Sequence, residues 1–240
     1  MKRRLLMVGL LLVPSAAIFV GILPHVLPRI LCGYRSDIAF AVPTVGEKRI
    51  YLSIDDAPST ATPRILEILA HHRTTATFFI IADRVSNPAQ LEAILAGGHA
   101  LGHHMKTTMA CSRMSQNEFE RDFDTTDAML RRYQPIWLFR PSSDFGTREE
   151  ITHAARMGYT TVVGTIVPLD HWIQNPTLLK RIALWLAIDG GIIILHDGAQ
   201  RGVTTAEVLD ELIPAFPKDG YTFGRMEREL APIARARIAP

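Results

Sequence analysis

The chain has 240 residues, 48% hydrophobic and 21% charged, which suits one sizeable globular domain and an additional apolar segment. Lysine and arginine number 26 against 24 acidic residues, and a net charge of +2 without a basic stripe argues against nucleic-acid binding. Two cysteines, Cys32 and Cys111, are too few for a disulfide framework and lack the paired spacing of a thiolate zinc site.

The first segment predicts a membrane anchor. Lys2, Arg3 and Arg4 precede Leu5 to Leu23, an apolar run close to the roughly 20 residues that a helix needs to cross a bilayer. Positive charge before the run favours a cytoplasmic N-terminus, which would place the following domain on the extracytoplasmic side. A cleaved signal peptide, and hence a secreted protein, is the alternative. The anchor is favoured because the run is longer than a usual signal-peptide core and no small-residue cleavage site adjoins it.

A linker and the first strand follow the apolar segment. Prolines and a glycine in residues 24–46 indicate the linker. Residues 50–54 form a short apolar run with β-branched members, which predicts a buried strand that ends in Asp55 and Asp56. Two adjacent carboxylates at a strand end suit metal binding and acid–base chemistry, although aspartate is also a common turn residue.

Strand and helix signals then alternate to the end of the chain. Capping residues predict helix starts at six places, namely Thr62 with Pro63 behind it, Asn87, Ser115, Thr147, Asn175, and Thr204 or Thr205. Apolar runs predict the intervening strands at 75–81, just before His104, and at 137–140, 159–163, 192–195 and 221–223.

This alternation predicts an α/β fold with a parallel sheet covered by helices. Six or seven units fit either a closed barrel or an open doubly wound sheet. Polar side chains directly after most of the strands favour the barrel, because the strand ends of a barrel converge on one mouth. No Gly-x-Gly-x-x-Gly turn follows the first strand, which weighs against dinucleotide binding.

The residues at these strand ends supply the groups that metal-assisted hydrolysis requires. Carboxylate and imidazole ligands can hold a divalent cation, a second carboxylate can take a proton from water, and a histidine can protonate a leaving amine. The candidates are Asp55, Asp56, His104, Arg140, Asp170 and His196.

Several segments, in order, resemble the polysaccharide deacetylase family, also described as the NodB homology domain or carbohydrate esterase family 4. Residues 53–58 are similar to its Thr-Phe-Asp-Asp-Gly-Pro motif, and 76–80 to its Ala-Thr-Phe-Phe segment. The other similar segments are 98–104, the Phe-Arg-Pro of 139–141, residues 192–197, which resemble the family's Ile-Leu-Leu-His-Asp signature, and 220–223. Together with the apolar run and the linker, the resemblance divides the chain into a tip with an anchor or signal segment at 1–23, the linker at 24–46, a catalytic domain at 47–230 and a tail at 231–240.

The resemblance implies a distorted (β/α) barrel that removes N-acetyl or O-acetyl groups from a polysaccharide such as chitin or peptidoglycan, with a divalent metal, commonly zinc. By position, Asp55 would be the base and His196 the acid. Arg140 would orient Asp55, and Asp170 would raise the basicity of His196. Asp56 and His104 would bind the metal. The substrate would contact Trp172, Leu195, Pro141 and Ser143.

The metal motif departs from the family at Thr108, which stands where the family has a second histidine. A neutral hydroxyl is a poor zinc ligand. The site could keep the cation with added water, recruit His99 or His103, bind weakly, or hold no metal. Two hypotheses therefore stay open: an anchored, metal-assisted deacetylase, or a catalytically inactive barrel that binds glycan or an envelope partner. A phosphatase with Asp55 as nucleophile is less favoured, because nothing in the sequence cradles phosphate.

Overall fold

The computed structural model describes residues 37–143 and 145–231. Strands in this part form one eight-stranded parallel sheet with the order β1-β6-β5-β4-β3-β2-β7, in which β8 pairs with β2. The strands are β1 (Ile38–Ala39), β2 (Arg49–Ala57), β3 (Thr77–Ile80), β4 (Ala100–His103), β5 (Leu138–Phe139), β6 (Thr160–Val162), β7 (Gly191–His196) and β8 (Thr222–Phe223).

Helices follow most of the strands and cover the sheet. They are α1 (Thr62–His71), α2 (Pro88–Ala96), α3 (Gln116–Leu130), α4 (Arg148–Arg156), α5 (Pro176–Trp185) and α6 (Ala199–Leu212). The predicted N-caps of α2, α3, α4 and α5 are confirmed, since Asn87, Ser115, Thr147 and Asn175 each accept a hydrogen bond from the first helical turn.

Two helices begin at other residues than predicted. The N-cap of α1 is Ala61 rather than Thr62, whose hydroxyl donates to the buried carboxylate of Asp197. Helix α6 begins directly after β7, upstream of Thr204 and Thr205. The hydroxyl of Thr205 lies inside the helix and donates to a β7 carbonyl at 2.8 Å. Tertiary hydrogen bonds therefore use the threonines that resembled caps.

The sheet curls until its two edges approach, which confirms the barrel-like arrangement of parallel strands and helices. Ile166, beyond β6, bridges to Ile193 of β7. Val42, beyond β1, donates to the carbonyl of Gly190 at 2.8 Å. Gly190 has a φ of +79°, and a Cβ there would lie 2.0 Å from the Val42 carbonyl oxygen, so the closure requires glycine.

The domain begins earlier than the sequence predicted. Residues 38–39 fall inside the predicted 24–46 linker, yet β1 pairs with β6 at the edge of the sheet. A two-residue strand is too short to show a hydrophobic period, which is why no sequence signal marked it. The predicted anchor at 1–23 and the end of the predicted tail, from 232, lie outside the described residues. None of the helices in the described part combines the length and apolar character that a bilayer crossing requires.

Candidate active site

The two carboxylates at the end of β2 face the same cavity. Successive side chains of a regular strand point to opposite faces. Here the pairing register of β2 with β3 shifts between Ile54 and Ala57, and Asp56 has a φ of 64°. This irregularity is typical of a β-bulge, which redirects side chains beside active sites. Asp55 and Asp56 consequently both line a cavity of about 550 Å³ at one end of the sheet.

Most of the predicted site residues line this cavity, namely Asp55, Asp56, His104, Thr108, Arg140, Pro141, Ser143 and His196. Asp170 lies behind His196. The two predicted pocket residues Leu195 and Trp172 do not line it. Leu195 is fully buried in the core and Ile194 takes its place, whereas Trp172 is 85% exposed. A run of four aliphatic residues gives no alternation, so the sequence could not decide which of them faces the cavity.

Arg140 holds Asp55 in a buried ion pair. Its Nη1 donates to Asp55 Oδ1 and, at 2.8 Å, to Ser53 Oγ, while its Nε donates to the Val162 carbonyl at 2.9 Å. Both charged side chains are at most 5% exposed. The guanidinium carbon also lies 4.1 Å from the Phe79 ring centre. Such an arrangement fixes the Asp55 carboxylate in one orientation, as a general base requires.

His196 faces Asp55 from the end of β7. Its Nε2 lies 4.0 Å from Asp55 Oδ2, and its Nδ1 donates to Asp170, 3.0 Å from either oxygen. The His196 backbone N–H donates to the same carboxylate at 2.9 Å. Burial alone would lower the pKa of His196, but the hydrogen bond and charge of Asp170 raise it above its ordinary value. The imidazolium is therefore stabilised beside the base, which suits a general acid.

His104 presents an unprotonated nitrogen to both aspartates. Its Nδ1 is 2.8 Å from the Arg140 carbonyl oxygen, which can only accept, so Nδ1 carries the proton. Burial lowers the pKa of His104, with the charges of Asp55 and Asp56 opposing the shift. Its Nε2 lies 3.9 Å from Asp55 Oδ2 and 3.7 Å from Asp56 Oδ1.

Asp56 is paired with arginines that the sequence analysis did not single out. Arg201, in the first turn of α6, places Nη2 3.0 Å from Asp56 Oδ2. Arg84 Nη2 lies 3.8 Å from the same oxygen. Both arginines line the cavity. The sequence could have indicated them only by their positions near strand ends. Arg84 lies shortly after β3, and Arg201 lies four residues after Asp197.

These donors do not form a complete site for the divalent metal that the family resemblance predicts. Catalytic zinc sites use three protein ligands. Asp56 and His104 supply two, Thr108 offers a neutral hydroxyl at the third position, and an arginine already binds Asp56. Among residues 37–143 and 145–231, one group of three side chains brings its possible metal-ligand atoms within 4.8 Å of one another. This group consists of Asp170, His171 and His196.

That group is engaged in its own contacts, and neither His99 nor His103 lines the cavity. Both oxygens of Asp170 already accept from His196. His103 donates from Nε2 to the Phe123 carbonyl at 3.0 Å within an aromatic cluster, and burial lowers its pKa to about 4. His99 accepts from the Ala76 N–H at 3.3 Å. Neither His99 nor His103 replaces the missing ligand.

Similarity to known proteins places this site in a family. Residues 43–162 match the sequence model described as polysaccharide deacetylase. A peptidoglycan-N-acetylglucosamine deacetylase from Bacillus cereus is 29% identical over 199 residues, covering 78% of this chain and 89% of the relative. A chitooligosaccharide deacetylase from a Bradyrhizobium strain is 30% identical over 194 residues, covering 73% of this chain and 88% of the relative.

Solved structures share the fold. A peptidoglycan N-acetylglucosamine deacetylase superposes with a TM-score of 0.73 at 23% identity, covering 80% of this chain and 92% of that one. A protein from Bacillus anthracis described as a CE4 family pseudoenzyme superposes with a TM-score of 0.72 at 25% identity, covering 79% of this chain and 68% of that one. With the sequence match, these likenesses show that the chain belongs to the polysaccharide deacetylase family.

Proposed function

We propose that this protein hydrolyses acetyl groups from an N-acetylated or O-acetylated polysaccharide of the cell envelope or of chitin type. One observation carries the proposal: Asp55 Oδ2 and His196 Nε2 face each other at 4.0 Å across the cavity, and each is held by its own partner. Arg140 orients Asp55 through a buried ion pair, and the hydrogen bond and charge of Asp170 raise the pKa of His196. The names of the relatives, which include peptidoglycan and chitooligosaccharide deacetylases, support an acetylated glycan as substrate.

In the proposed reaction, Asp55 accepts a proton from water as the water oxygen attacks the acetyl carbon. The bond between that carbon and the sugar nitrogen then breaks, and His196 transfers its proton to the departing amine. The products are acetate and a free amino group on the sugar. The geometry suits this division because a base must be ionised and an acid protonated at the same pH.

One donor of Arg140 remains without a partner among the described residues. Arg140 Nη2 is buried and has no hydrogen-bond partner among the described residues, although Nε and Nη1 have three between them. An unpaired buried donor is costly unless a ligand or water satisfies it. The incomplete ligand set assigns no step to a metal.

The mouth of the cavity supports binding of a sugar chain. Phe145 lines it and is 75% exposed, and Val167, also in the lining, is 37% exposed. Exposed aromatic faces bring a large contact area at low entropic cost and stack against the apolar faces of ligands. Pro141 and Ser143, predicted as substrate contacts, lie in the same lining.

Acetate release tests the function. The full chain, purified in detergent, is incubated with N-acetylglucosamine oligomers and with peptidoglycan fragments, and free acetate and free amines are measured together. We expect both products in equal amounts from the wild type and none from Asp55→Asn. Absence of both products from a folded wild-type protein on every acetylated glycan would reject the deacetylase proposal.

A barrel that binds glycan without turnover is the second candidate, and Thr108 at the metal position favours it. A family member with the same fold is itself described as a pseudoenzyme, which supports this candidate. Saturable binding of oligomers without acetate release, unchanged by Asp55→Asn, would favour it over the deacetylase.

The location of the protein is part of the proposal. Lys2, Arg3 and Arg4 before the apolar run Leu5 to Leu23 support a single membrane helix with the barrel on the extracytoplasmic side. Carbonate extraction of membranes, with protease protection of intact cells, tests it. Release of a shortened chain into the medium would instead support a cleaved signal peptide and a secreted protein.

A further inference from the structure

We propose that Arg201 and Arg84 together take the place of a divalent ion beside Asp56, so that this half of the site works without a bound metal. The inference rests on the proposed function only for the location of the site. Arg201 Nη2 donates to Asp56 Oδ2 at 3.0 Å, and Arg84 Nη2 lies 3.8 Å from the same atom. Two guanidinium groups carry the same charge as one divalent cation.

The local backbone fixes both arginines in these positions. Arg84 Nη1 donates to the Asp56 carbonyl and, at 3.4 Å, to the Asp197 carbonyl. A Cβ at Gly198 would lie 3.3 Å from Arg201 Nη2 and 3.4 Å from Arg84 Nη1. The two guanidinium groups thus close over a glycine at the N-cap of α6. The side chain of Arg84 is 29% exposed and that of Arg201 is 28% exposed, so their contacts with Asp56 are partly shielded from solvent.

A charge count explains why a cation is disfavoured. Asp55 is balanced by Arg140, which leaves one carboxylate, Asp56, facing two guanidinium groups. Asp56 therefore already faces two positive charges before any ion is added. A divalent ion placed between Asp56 and His104 would be repelled by Arg201 and Arg84 in a partly buried environment, where charges interact strongly.

The donors themselves lead to the same conclusion. Asp56 Oδ1 and His104 Nε2 are 3.7 Å apart and could share one ion, but a third nitrogen, sulfur or carboxylate ligand is missing at Thr108. Asp56 also has its second oxygen committed to Arg201, which reduces the negative charge that it can offer. The threonine at the ligand position and the arginines beside Asp56 thus both weaken metal binding.

Direct metal binding tests this inference without measuring turnover. The full-length wild type, freed of metal by chelator and dialysis, is titrated with Zn²⁺ by calorimetry and with Co²⁺ by visible absorption. We expect no Co²⁺ spectrum of a nitrogen- and oxygen-ligated site in the wild type. The double variant Arg201→Gln with Thr108→His gains a ligand and loses a repelling charge, and we expect it to bind Zn²⁺ at least about 100-fold more tightly than the wild type.

Three further variants complete the design. Arg181→Gln removes an exposed arginine of α5 and should leave metal binding unchanged, which controls for net charge. A rise in melting temperature on addition of Zn²⁺, seen only in the double variant, would confirm that the folded form binds the ion. One equivalent bound by the wild type and lost in His104→Ala would overturn the inference. Binding lost in His171→Ala but kept in His104→Ala would place the ion elsewhere and support it.

Failure of this inference and failure of the proposed function give different results. If the wild-type protein binds one ion at His104 and releases acetate, the deacetylase proposal stands and the replacement of the ion by arginines is rejected. If the protein binds no ion and releases no acetate, the replacement of the ion by arginines stands and the deacetylase proposal is rejected.

Discussion

Asp55 and Asp56 are neighbours in sequence, yet the two halves of the site around them differ. Asp55 is held by Arg140 and faces His196, and these two are the base and the acid of the proposed hydrolysis. Asp56 is held by Arg201 and faces His104, where a metal site would require another ligand. A family motif can therefore persist in sequence while the partner of its second residue changes.

The largest expected effect separates the two carboxylates directly. Asp55→Asn should lower kcat/KM for acetylated oligomers by at least about 1,000-fold, because an amide cannot accept the proton of the attacking water. Asp56→Asn should lower it by no more than about tenfold, because Asp56 only balances the arginines and takes no proton. Steady-state acetate release measures both. Asp124→Asn, on the exposed face of α3, is the matched control.

Equal losses for Asp55→Asn and Asp56→Asn would remove the distinction between the two halves. They would mean that Asp56 contributes to the chemistry as strongly as the base does, as a metal ligand would. Circular dichroism of both variants checks that either loss occurs in folded protein.

Removal of Arg140 should have the next largest effect, seen in stability. Arg140→Gln leaves the carboxylate of Asp55 buried without its partner, and such a change costs about 3 to 5 kcal/mol in free energy of unfolding. Urea denaturation measures it. Arg132→Gln, at an exposed position after α3, should cost less than about 0.5 kcal/mol. A loss no larger than that of the control would mean that the pair is solvated rather than buried.

The sequence predicted the acid–base half better than the half around Asp56, and the reason is physical. Strand-end polar residues and capping boxes are local signals, so the sequence could place Asp55, Arg140 and His196 at strand ends, and in the structure all three line one cavity. The bulge at Asp56 depends on the pairing of two strands, and the partner Arg201 is separated from it by 145 residues. Long-range ion pairs of this kind leave no periodicity in sequence.

Asp170→Asn should produce a moderate and pH-dependent effect. Asp170 raises the pKa of His196 above the ordinary value, so the wild type should keep its acid protonated to higher pH than a free histidine would. Without the carboxylate charge, burial lowers the pKa of His196, and the basic limb of kcat/KM should move to lower pH. On that limb, a tenfold weaker proton affinity of His196 lowers its protonated fraction about tenfold.

The pH profile of acetate release measures this change, and the chain offers a matched control. His72 and Asp210 form a similar pair, 2.8 Å apart, on the exposed surface. Asp210→Asn should leave the profile unchanged. An unchanged basic limb in Asp170→Asn would show that Asp170 does not set the proton affinity of His196, and the acid–base half would lose its distinguishing feature.

The smallest expected effect concerns Thr108 and probes the half around Asp56. If that half operates without metal, the Thr108 hydroxyl has no ion to bind, and Thr108→Ala should change kcat/KM by less than about twofold. The backbone at this position is held independently of the side chain, because Ser143 Oγ donates to the Thr108 carbonyl at 2.7 Å. Alanine keeps that contact, so a change in activity would report the hydroxyl alone. A loss above tenfold would mean that this hydroxyl acts in the reaction, and that the two carboxylates serve one shared centre after all.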